Sequence, residues 1–198
     1  KEKKIKWKTH GRICHRLEDF CYKCPKCGKE FTMKGEGNQI VCTSCGNGAT
    51  MDDYYEFHPF EGSIIPESPY QWVAQQRAQL IKEIRENPDY YFEDECQIGN
   101  LDEYKLVGDN KTSFIVGEGK IRVDHTGMHY RGTRNGEPYE FDVDYNSLFT
   151  LITEVDSSFF NFYLRGEYFD VFPKHQTVGK FSLLVEEMHR YHVNTYKN

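Results

Sequence analysis

The stretch CPKCGKEFTMKGEGNQIVCTSCG, residues 24–46, contains two Cys-x-x-Cys pairs, and a glycine follows each pair. Thiolates at positions i and i+3 of a tight turn can reach the same ion, and Zn²⁺ takes four such ligands in a tetrahedron. The 14 residues between the pairs are slightly fewer than the roughly 15–20 that are usual for zinc sites of this kind. The pattern predicts a zinc site formed by Cys24, Cys27, Cys42 and Cys45.

The residues between the two pairs favour a small zinc ribbon. Residues 30–33 and 39–41 are predicted as strands on either side of the turn GEGN, so that the hairpin brings the second pair beside the first. Two disulfides or a redox Cys-x-x-Cys are the alternatives, but the redox motif requires a βαβ context that the pattern lacks. A site with four thiolates has no open coordination position, so the predicted Zn²⁺ is structural and not catalytic.

The other three cysteines have no partner at ligand spacing and are predicted to be free and buried: Cys14, Cys21 and Cys96. Cys21 lies three residues before Cys24 and could compete as a ligand, but the glycine after Cys27 favours the Cys24 and Cys27 pair. An odd total of seven argues against a secreted disulfide framework. A reducing, cytoplasmic compartment is the better expectation.

The charge of the chain is distributed unevenly. The net charge is -6, yet residues 1–35 contain 11 Lys and Arg against 4 Asp and Glu. A nucleic-acid binder usually has a basic domain and not a basic arm, which argues against nucleic acid as the partner. The mean hydropathy of -0.75 and the absence of an apolar run of about 18 residues exclude a membrane-spanning helix. Because the sequence begins without methionine, we expect it to be a fragment of a longer protein.

The basic arm at the front interleaves apolar and cationic side chains. Such a segment can lie at an anionic membrane surface, with tryptophan at the level of the headgroups. An ordinary solvated linker remains the alternative. The residues of this predicted membrane-surface arm are Lys3, Lys4, Lys6, Trp7 and Lys8.

Four segments differ in pattern, and together they predict an α+β, mainly β protein. Residues 1–20 are a basic linker or helical lead-in, residues 21–50 the zinc ribbon, residues 51–89 a linker and an amphipathic helix, and residues 90–198 a β domain. The helix is expected to start after Ser68, which can cap it, and to end at Asn87 before Pro88.

The β domain shows an alternation of apolar and polar residues, which is typical of an antiparallel sheet with one buried face. Asn135-Gly136 is a strong hairpin signal, and residues 124–127 form another turn. Further strands are predicted at residues 149–155, 160–164 and 168–172, and a final amphipathic helix over 178–191 is predicted to be capped by Thr177. This order of elements resembles a pleckstrin-homology-like (PH-like, GRAM-like) domain, in which the helix closes one end of a strongly bent antiparallel sheet.

One pair of residues offers the start of an enzyme site. His15 and Asp19 would face each other at i and i+4 if they shared a helix, as a general base with its carboxylate. No nucleophile or second carboxylate accompanies them, so a surface pair is favoured. A free-standing enzyme is therefore the weakest of the hypotheses.

The segment WKTHGRICHRLEDFCYKCPKCGKEFTMKGEGNQIVCTSCGNGATMDDYYEF, residues 7–57, resembles the region after the catalytic domain in some bacterial (Firmicutes-type) 1-acyl-sn-glycerol-3-phosphate (lysophosphatidate) acyltransferases. Members of that family use a His-x-x-x-x-Asp motif, which this sequence lacks, so no catalytic residue carries over. The resemblance implies a non-catalytic accessory region whose partners are the catalytic domain and an anionic membrane surface, at the cytoplasmic face of the membrane. The alternative is a zinc-ribbon interaction module of a transcription or translation protein.

Overall fold

The computed structural model describes residues 5–100, 113–154 and 157–193. This part of the chain is mainly β, with two antiparallel sheets and two α-helices, so the prediction of an α+β, mainly β protein is confirmed. The chain divides into two compact units, Lys1–Gln79 (unit 1) and Leu80–Asn198 (unit 2). The boundary lies inside the predicted segment 51–89, which therefore contributes to both units.

Unit 1 contains a four-stranded sheet whose strands lie in chain order. The first two strands form the predicted hairpin, whereas the last two were not predicted from the sequence. The four strands are β1 (Met33–Glu36), β2 (Gln39–Cys42), β3 (Gly48–Met51) and β4 (Phe57–Pro59).

The hairpin is shifted from its predicted position. β1 begins only at the end of the predicted strand, because Phe31 has a left-handed φ of 55°. Gly35 was expected in the turn but pairs with Ile40 in the sheet, so the turn is confined to residues 37–38. A Cβ atom at Gly35 would lie 1.9 Å from the carbonyl oxygen of Cys14. The glycine is therefore needed for a close approach between two backbone segments and not for the turn.

The first helix, α1 (Pro69–Glu86), follows the prediction closely. The Gln71 amide donates to the Ser68 hydroxyl at 3.2 Å, so Ser68 caps the helix as expected. The helix ends before Asn87 and Pro88, because proline cannot continue the hydrogen-bond ladder. The unit boundary lies within this helix, after Gln79.

Unit 2 contains a seven-stranded antiparallel sheet and the second helix, α2 (Val178–His192). The order of the strands in the sheet is β8-β7-β6-β5-β11-β10-β9. The bounds are β5 (Tyr91–Asn100), β6 (Phe114–Asp124), β7 (Gly127–Arg134), β8 (Glu137–Val143), β9 (Ile152–Thr153), β10 (Phe160–Leu164) and β11 (Glu167–Pro173).

Most strands predicted for this unit are confirmed, including the Asn135-Gly136 hairpin between β7 and β8. The strand predicted over 149–155 is wrong in length, since only Ile152–Thr153 pairs with β10. Position 155 lies outside the described residues. The core of the sheet is aromatic: the Phe141 ring lies 5.3 Å from Tyr130 and 5.5 Å from Phe169, centroid to centroid.

The longest strand that the sequence did not identify individually is β5, and Asp94 explains why. Phe92, Cys96 and Ile98 alternate as an inward face would, but Asp94 occupies a buried position between them. Its carboxylate binds the hydroxyl of Thr177 at 2.8 Å and the ring Nδ1 of His175 at 2.6 Å. A buried acid that is satisfied by distant partners breaks the expected alternation.

These contacts also correct the role predicted for Thr177. The residue occupies the N-cap position of α2, but its side chain makes no capping hydrogen bond. The hydroxyl donates to Asp94 instead, and the Asp94 carboxylate also accepts from the backbone amide of His175 at 3.2 Å. The start of α2 is therefore held to β5 by Asp94.

We expect Asp94→Ala to destabilise unit 2 by about 2–3 kcal/mol, since it removes hydrogen bonds to a charged group and leaves the buried Thr177 hydroxyl with only the longer contact to the His175 carbonyl, at 3.4 Å. Urea denaturation, together with hydrogen exchange at the first turn of α2, measures this loss. The neighbouring Glu95→Ala is the control: its exposed ion pair with Lys174 should contribute at most about 1 kcal/mol. Equal effects of the two substitutions would contradict the role assigned to Asp94.

Candidate metal centre

Each Cys-x-x-Cys pair of unit 1 folds into the same backbone turn. The amide of Gly28 donates to the Cys24 carbonyl at 2.9 Å, and the amide of Gly46 donates to the Cys42 carbonyl at the same distance. Both glycines have a φ of 72°, which L-residues rarely adopt. The glycine after each pair is therefore required by the turn that aims the two sulfurs in one direction.

The two turns bring the four predicted ligands together. All four sulfurs lie within 4.8 Å of one another, and all are free thiols. The Sγ atoms of Cys24 and Cys45 are 3.7 Å apart, and those of Cys27 and Cys42 are 3.8 Å apart. A tetrahedral ion with metal–sulfur bonds of about 2.3 Å places its ligands about 3.8 Å apart, whereas a disulfide bond measures about 2.05 Å. The spacing fits a shared metal ion and excludes disulfides in this structure.

Two polar side chains contact the sulfurs and were not identified from the sequence. The hydroxyl of Thr32 lies 3.3 Å from Cys42 Sγ, and the amide nitrogen of Asn47 lies 3.6 Å from Cys24 Sγ. Asn47 is buried, and it also binds the backbone of Ile64 through both side-chain atoms, at 2.9 Å and 2.7 Å. Such second-layer donors orient metal ligands and stabilise thiolate charge.

The thiols differ in acidity. Burial raises the pKa of Cys42, but hydrogen bonds from Thr32 and from the amides of Ser44 and Cys45 outweigh burial and lower the pKa to about 6. At Cys45 the Asn47 amide lowers the pKa, but desolvation and the three neighbouring thiols outweigh it and raise the pKa to about 12. Four thiolates at these distances repel one another unless a cation lies between them.

The first Cys-x-x-Cys turn is clamped by α1. The indole nitrogen of Trp72 donates to the Lys23 carbonyl at 2.9 Å, and the Lys23 amide donates to the side-chain oxygen of Gln76 at 2.9 Å. The Gln76 amide in turn donates to the Phe20 carbonyl at 2.7 Å. Both backbone groups of the residue before Cys24 are thus held by one helix, a contact that no local pattern indicates.

The cluster is half-buried, with Cys24 and Cys42 inside unit 1 and Cys27 and Cys45 exposed. The remaining cysteines are buried free thiols, as predicted, and none joins the cluster. Burial raises the pKa of Cys14 to about 11 and that of Cys21 to about 12. These two thiols belong to the apolar core beside the metal-binding turns.

The structure does not place His15 and Asp19 on a common α-helix. A short 3₁₀ turn covers Leu17–Asp19, and the Asp19 carboxylate pairs with Arg16 at 2.6 Å. His15 is exposed. The geometry expected of a general base is therefore absent from this segment.

The predicted membrane-surface arm is described in part, because Lys3 and Lys4 lie outside the described residues. Lys6 forms an ion pair with Asp53 at 3.5 Å, and the Trp7 amide donates to the Asp53 carbonyl at 3.0 Å. The Trp7 side chain is nevertheless 56% exposed, and Lys8 is exposed as well. The backbone of the arm is tied to unit 1 while its aromatic side chain faces solvent.

We expect Asn47→Ala to weaken metal retention about 10- to 100-fold, because it removes the donor to Cys24 and both bonds to Ile64. Metal release to a chromogenic chelator measures the effect. Asn38→Ala changes an exposed residue in the hairpin turn and is the matched control. Equal release rates in the two variants would show that Asn47 has no part in holding the metal.

A comparison with models of known protein families finds no match for this chain, and a comparison with curated proteins finds none either. Neither links the chain to an acyltransferase, so that relationship stays a prediction. Within residues 5–100, 113–154 and 157–193, no helix has the length and apolar character that crossing a membrane requires.

Proposed function

We propose that the cysteine cluster is a zinc ribbon that holds structural Zn²⁺. Sulfur ligands in a tetrahedron favour zinc over Ca²⁺, Mg²⁺ or Mn²⁺, which prefer oxygen. The sulfur spacings of 3.7 Å and 3.8 Å support this choice. With four protein ligands the ion has no position for a substrate, so it supplies stability to unit 1 and no chemistry.

For unit 2 we propose a PH-like architecture. Its support is the order of the seven strands together with the helix that follows the last of them. The first four strands of the unit form one side of the sheet in sequence, and the last three form the other side, joined through β5 and β11. Domains with this fold bind many different ligands, so the fold alone does not identify the ligand of unit 2.

The function that these features support best is that of a non-catalytic accessory region that docks on an anionic membrane surface. The exposed indole of Trp7, on a backbone tied to Asp53, carries this proposal. Tryptophan is enriched at the level of lipid headgroups, and nearby Lys side chains are attracted to anionic lipids. An aromatic side chain whose backbone is already held loses less conformational entropy when it inserts into a membrane than one on a free chain.

The surroundings of Trp7 suit such a surface. Asp53, to which the arm is tied, is followed directly by Tyr54 and Tyr55, which are 44% and 49% exposed. Lys6 and Lys8 flank the tryptophan and are exposed. Amphipathic aromatic rings beside cationic side chains match the headgroup region of an anionic bilayer.

The resemblance to lysophosphatidate acyltransferases suggests what the docking is for. A lysophospholipid acceptor lies in the membrane, so a catalytic domain gains from an accessory region that keeps it at the bilayer. On this proposal the partners of the chain are that catalytic domain and the membrane surface. The sequence has no His-x-x-x-x-Asp motif, in keeping with an accessory role.

Vesicle co-sedimentation tests the docking. We expect binding to vesicles with anionic lipid and weaker binding to neutral vesicles, and Trp7→Ala should weaken the former at least about tenfold, since burying a large apolar side chain contributes about 1.5–3 kcal/mol. Tyr163→Ala removes a comparably exposed ring from unit 2, where Tyr163 is 66% exposed, and should change nothing. Equal binding by the wild type and Trp7→Ala would refute the proposed surface.

The relationship to an acyltransferase is tested separately, by the coding sequence upstream of Lys1. An apolar domain with a His-x-x-x-x-Asp motif there would support it. A start codon directly before Lys1 would remove the acyltransferase from the proposal and leave membrane docking to be judged on the vesicles alone.

A further inference from the structure

Two histidine rings of unit 2 face each other at the end of α2. His125 lies in the turn between β6 and β7, and His192 is the last residue of α2. The Nδ1 atom of His125 is 3.1 Å from the Nε2 atom of His192. The two residues are 67 positions apart in the sequence, so only the fold brings them together.

The protonation of His125 follows from its second partner. Its Nε2 atom lies 2.9 Å from the backbone carbonyl oxygen of Asn87. A carbonyl only accepts hydrogen bonds, so Nε2 carries the proton and the Nδ1 atom of the neutral ring presents its lone pair to His192. Histidines that bind metals usually donate their other ring N–H to a carbonyl or carboxylate in this way.

The ring of His192 is also held in place. It stacks on Tyr145 with centroids 5.5 Å apart and an angle of 4° between the planes. Partial burial, and then the neighbouring His125, lower the pKa of His192 and so favour its neutral form. A neutral imidazole is the form that binds metal ions.

We propose that His125 Nδ1 and His192 Nε2 form a second metal site, which binds one divalent transition-metal ion such as Ni²⁺, Cu²⁺ or Zn²⁺. Without the ion, one proton between the two nitrogens makes an ordinary hydrogen bond at 3.1 Å. With the ion, the neutral His192 ring carries its proton on Nδ1, and both lone pairs point at the metal.

The distance between the rings fits this role. Two nitrogens at about 2.1 Å from an ion lie about 3.0 Å apart at right angles and about 3.4 Å apart in a tetrahedron. The observed 3.1 Å falls between these values, so the two nitrogens need not separate to share an ion, and binding requires the rings to tilt so that both lone pairs converge on it. Imidazole ligands suit Zn²⁺, Cu²⁺ and Ni²⁺, whereas Mg²⁺ and Ca²⁺ prefer oxygen.

This site differs in kind from the cysteine cluster. Among the residues that the structure describes, no third cysteine, histidine or carboxylate completes a ligand group with the two rings. Water would fill the remaining positions, so the ion would exchange freely and bind more weakly than in a four-thiolate site. A bound ion would also tie the β6–β7 turn to the end of α2.

Titration with Ni²⁺ tests the proposal on the full chain, without a histidine tag and with the cysteine cluster already loaded with zinc. Calorimetry should find one additional Ni²⁺ per chain for the wild type. His192→Gln and His125→Gln should each weaken that binding at least about tenfold, since even the loss of an outer partner of a metal ligand costs about 10- to 100-fold. Because His192 is exposed at the end of α2, His192→Gln is the variant that leaves the fold intact.

His58→Gln is the matched control, since His58 is exposed in unit 1, where it pairs with Asp52. It should bind the additional Ni²⁺ as the wild type does. Ni²⁺ should also raise the midpoint of thermal unfolding of unit 2 in the wild type and in His58→Gln, but not in His192→Gln. No additional Ni²⁺ in the wild type, or unchanged binding in His192→Gln, would overturn the site and leave the histidine pair as a hydrogen bond.

Discussion

Replacing Cys42 with serine is expected to release the metal and to unfold the sheet of unit 1. Cys42 is 1% exposed and belongs to the same buried cluster as Met33, Ile40 and Trp72. Apparent binding energies of structural Zn²⁺ are about 10–16 kcal/mol, whereas a whole small domain is stable by only about 5–15 kcal/mol. A unit of this size cannot stay folded after it loses the binding free energy of the zinc ion.

Metal analysis and hydrogen exchange measure this outcome together. The wild type should contain about one zinc per chain, while Cys42→Ser should contain far less and should lose protection of the amides in β1 to β3. Cys96→Ala is the control, because Cys96 is also buried but lies in unit 2. Removing zinc from the wild type with a strong chelator should reproduce the exchange pattern of Cys42→Ser.

Two results would contradict this expectation. A protected sheet in metal-free Cys42→Ser would show that the core of unit 1 is sufficient without the ion. A wild type that is purified without metal and with intact disulfides would show that the cysteine cluster is not a metal site.

Trp72→Ala has the second-largest expected effect, a loss of about 3–5 kcal/mol from unit 1. The side chain is 1% exposed, and its ring lies 5.9 Å from that of Phe57, centroid to centroid. Its indole N–H also binds the carbonyl of Lys23, directly before the first ligand. The substitution therefore removes core volume and loosens the first metal-binding turn.

The measurement is urea denaturation followed through the amides of unit 1, combined with the rate of zinc release to a chelator. Both should change in Trp72→Ala, and Trp72→Phe should recover part of the stability but not the bond to Lys23. Tyr70→Ala, in the same helix and 81% exposed, should stay within about 0.5 kcal/mol of the wild type. If Trp72→Ala is destabilised but releases zinc at the wild-type rate, the hydrogen bond from Trp72 to Lys23 does not contribute to holding the metal.

The cluster of four cysteines could be predicted because its geometry is local. Cysteines at i and i+3 followed by glycine determine one turn each, and the observed turns have the same hydrogen bond and the same φ at glycine. The Asn135-Gly136 hairpin and the bounds of α1 were predictable for the same reason. Each depends on a few adjacent residues whose backbone preferences agree.

The features that the sequence did not indicate all depend on contacts between distant segments. Gly35 looked like a turn residue, but it pairs with Ile40 in the sheet, and its lack of a side chain allows the Cys14 backbone to approach closely. Asp94 interrupts the apolar alternation of β5, so the strand was not identified from the sequence. Its carboxylate can be buried there because Thr177 and His175, both distant in the sequence, bind it.

The sequence by itself determined where the two Cys-x-x-Cys turns, the Asn135-Gly136 hairpin and the two α-helices form, because short-range backbone preferences and hydrophobic periodicity specify them. Only the tertiary structure decided what surrounds them: the helix that clamps the first turn through Trp72 and the histidine pair formed by His125 and His192. Those partners lie 49 and 67 positions apart. Side chains at such separations meet only when the packed core has brought their backbones together, and no local pattern records that.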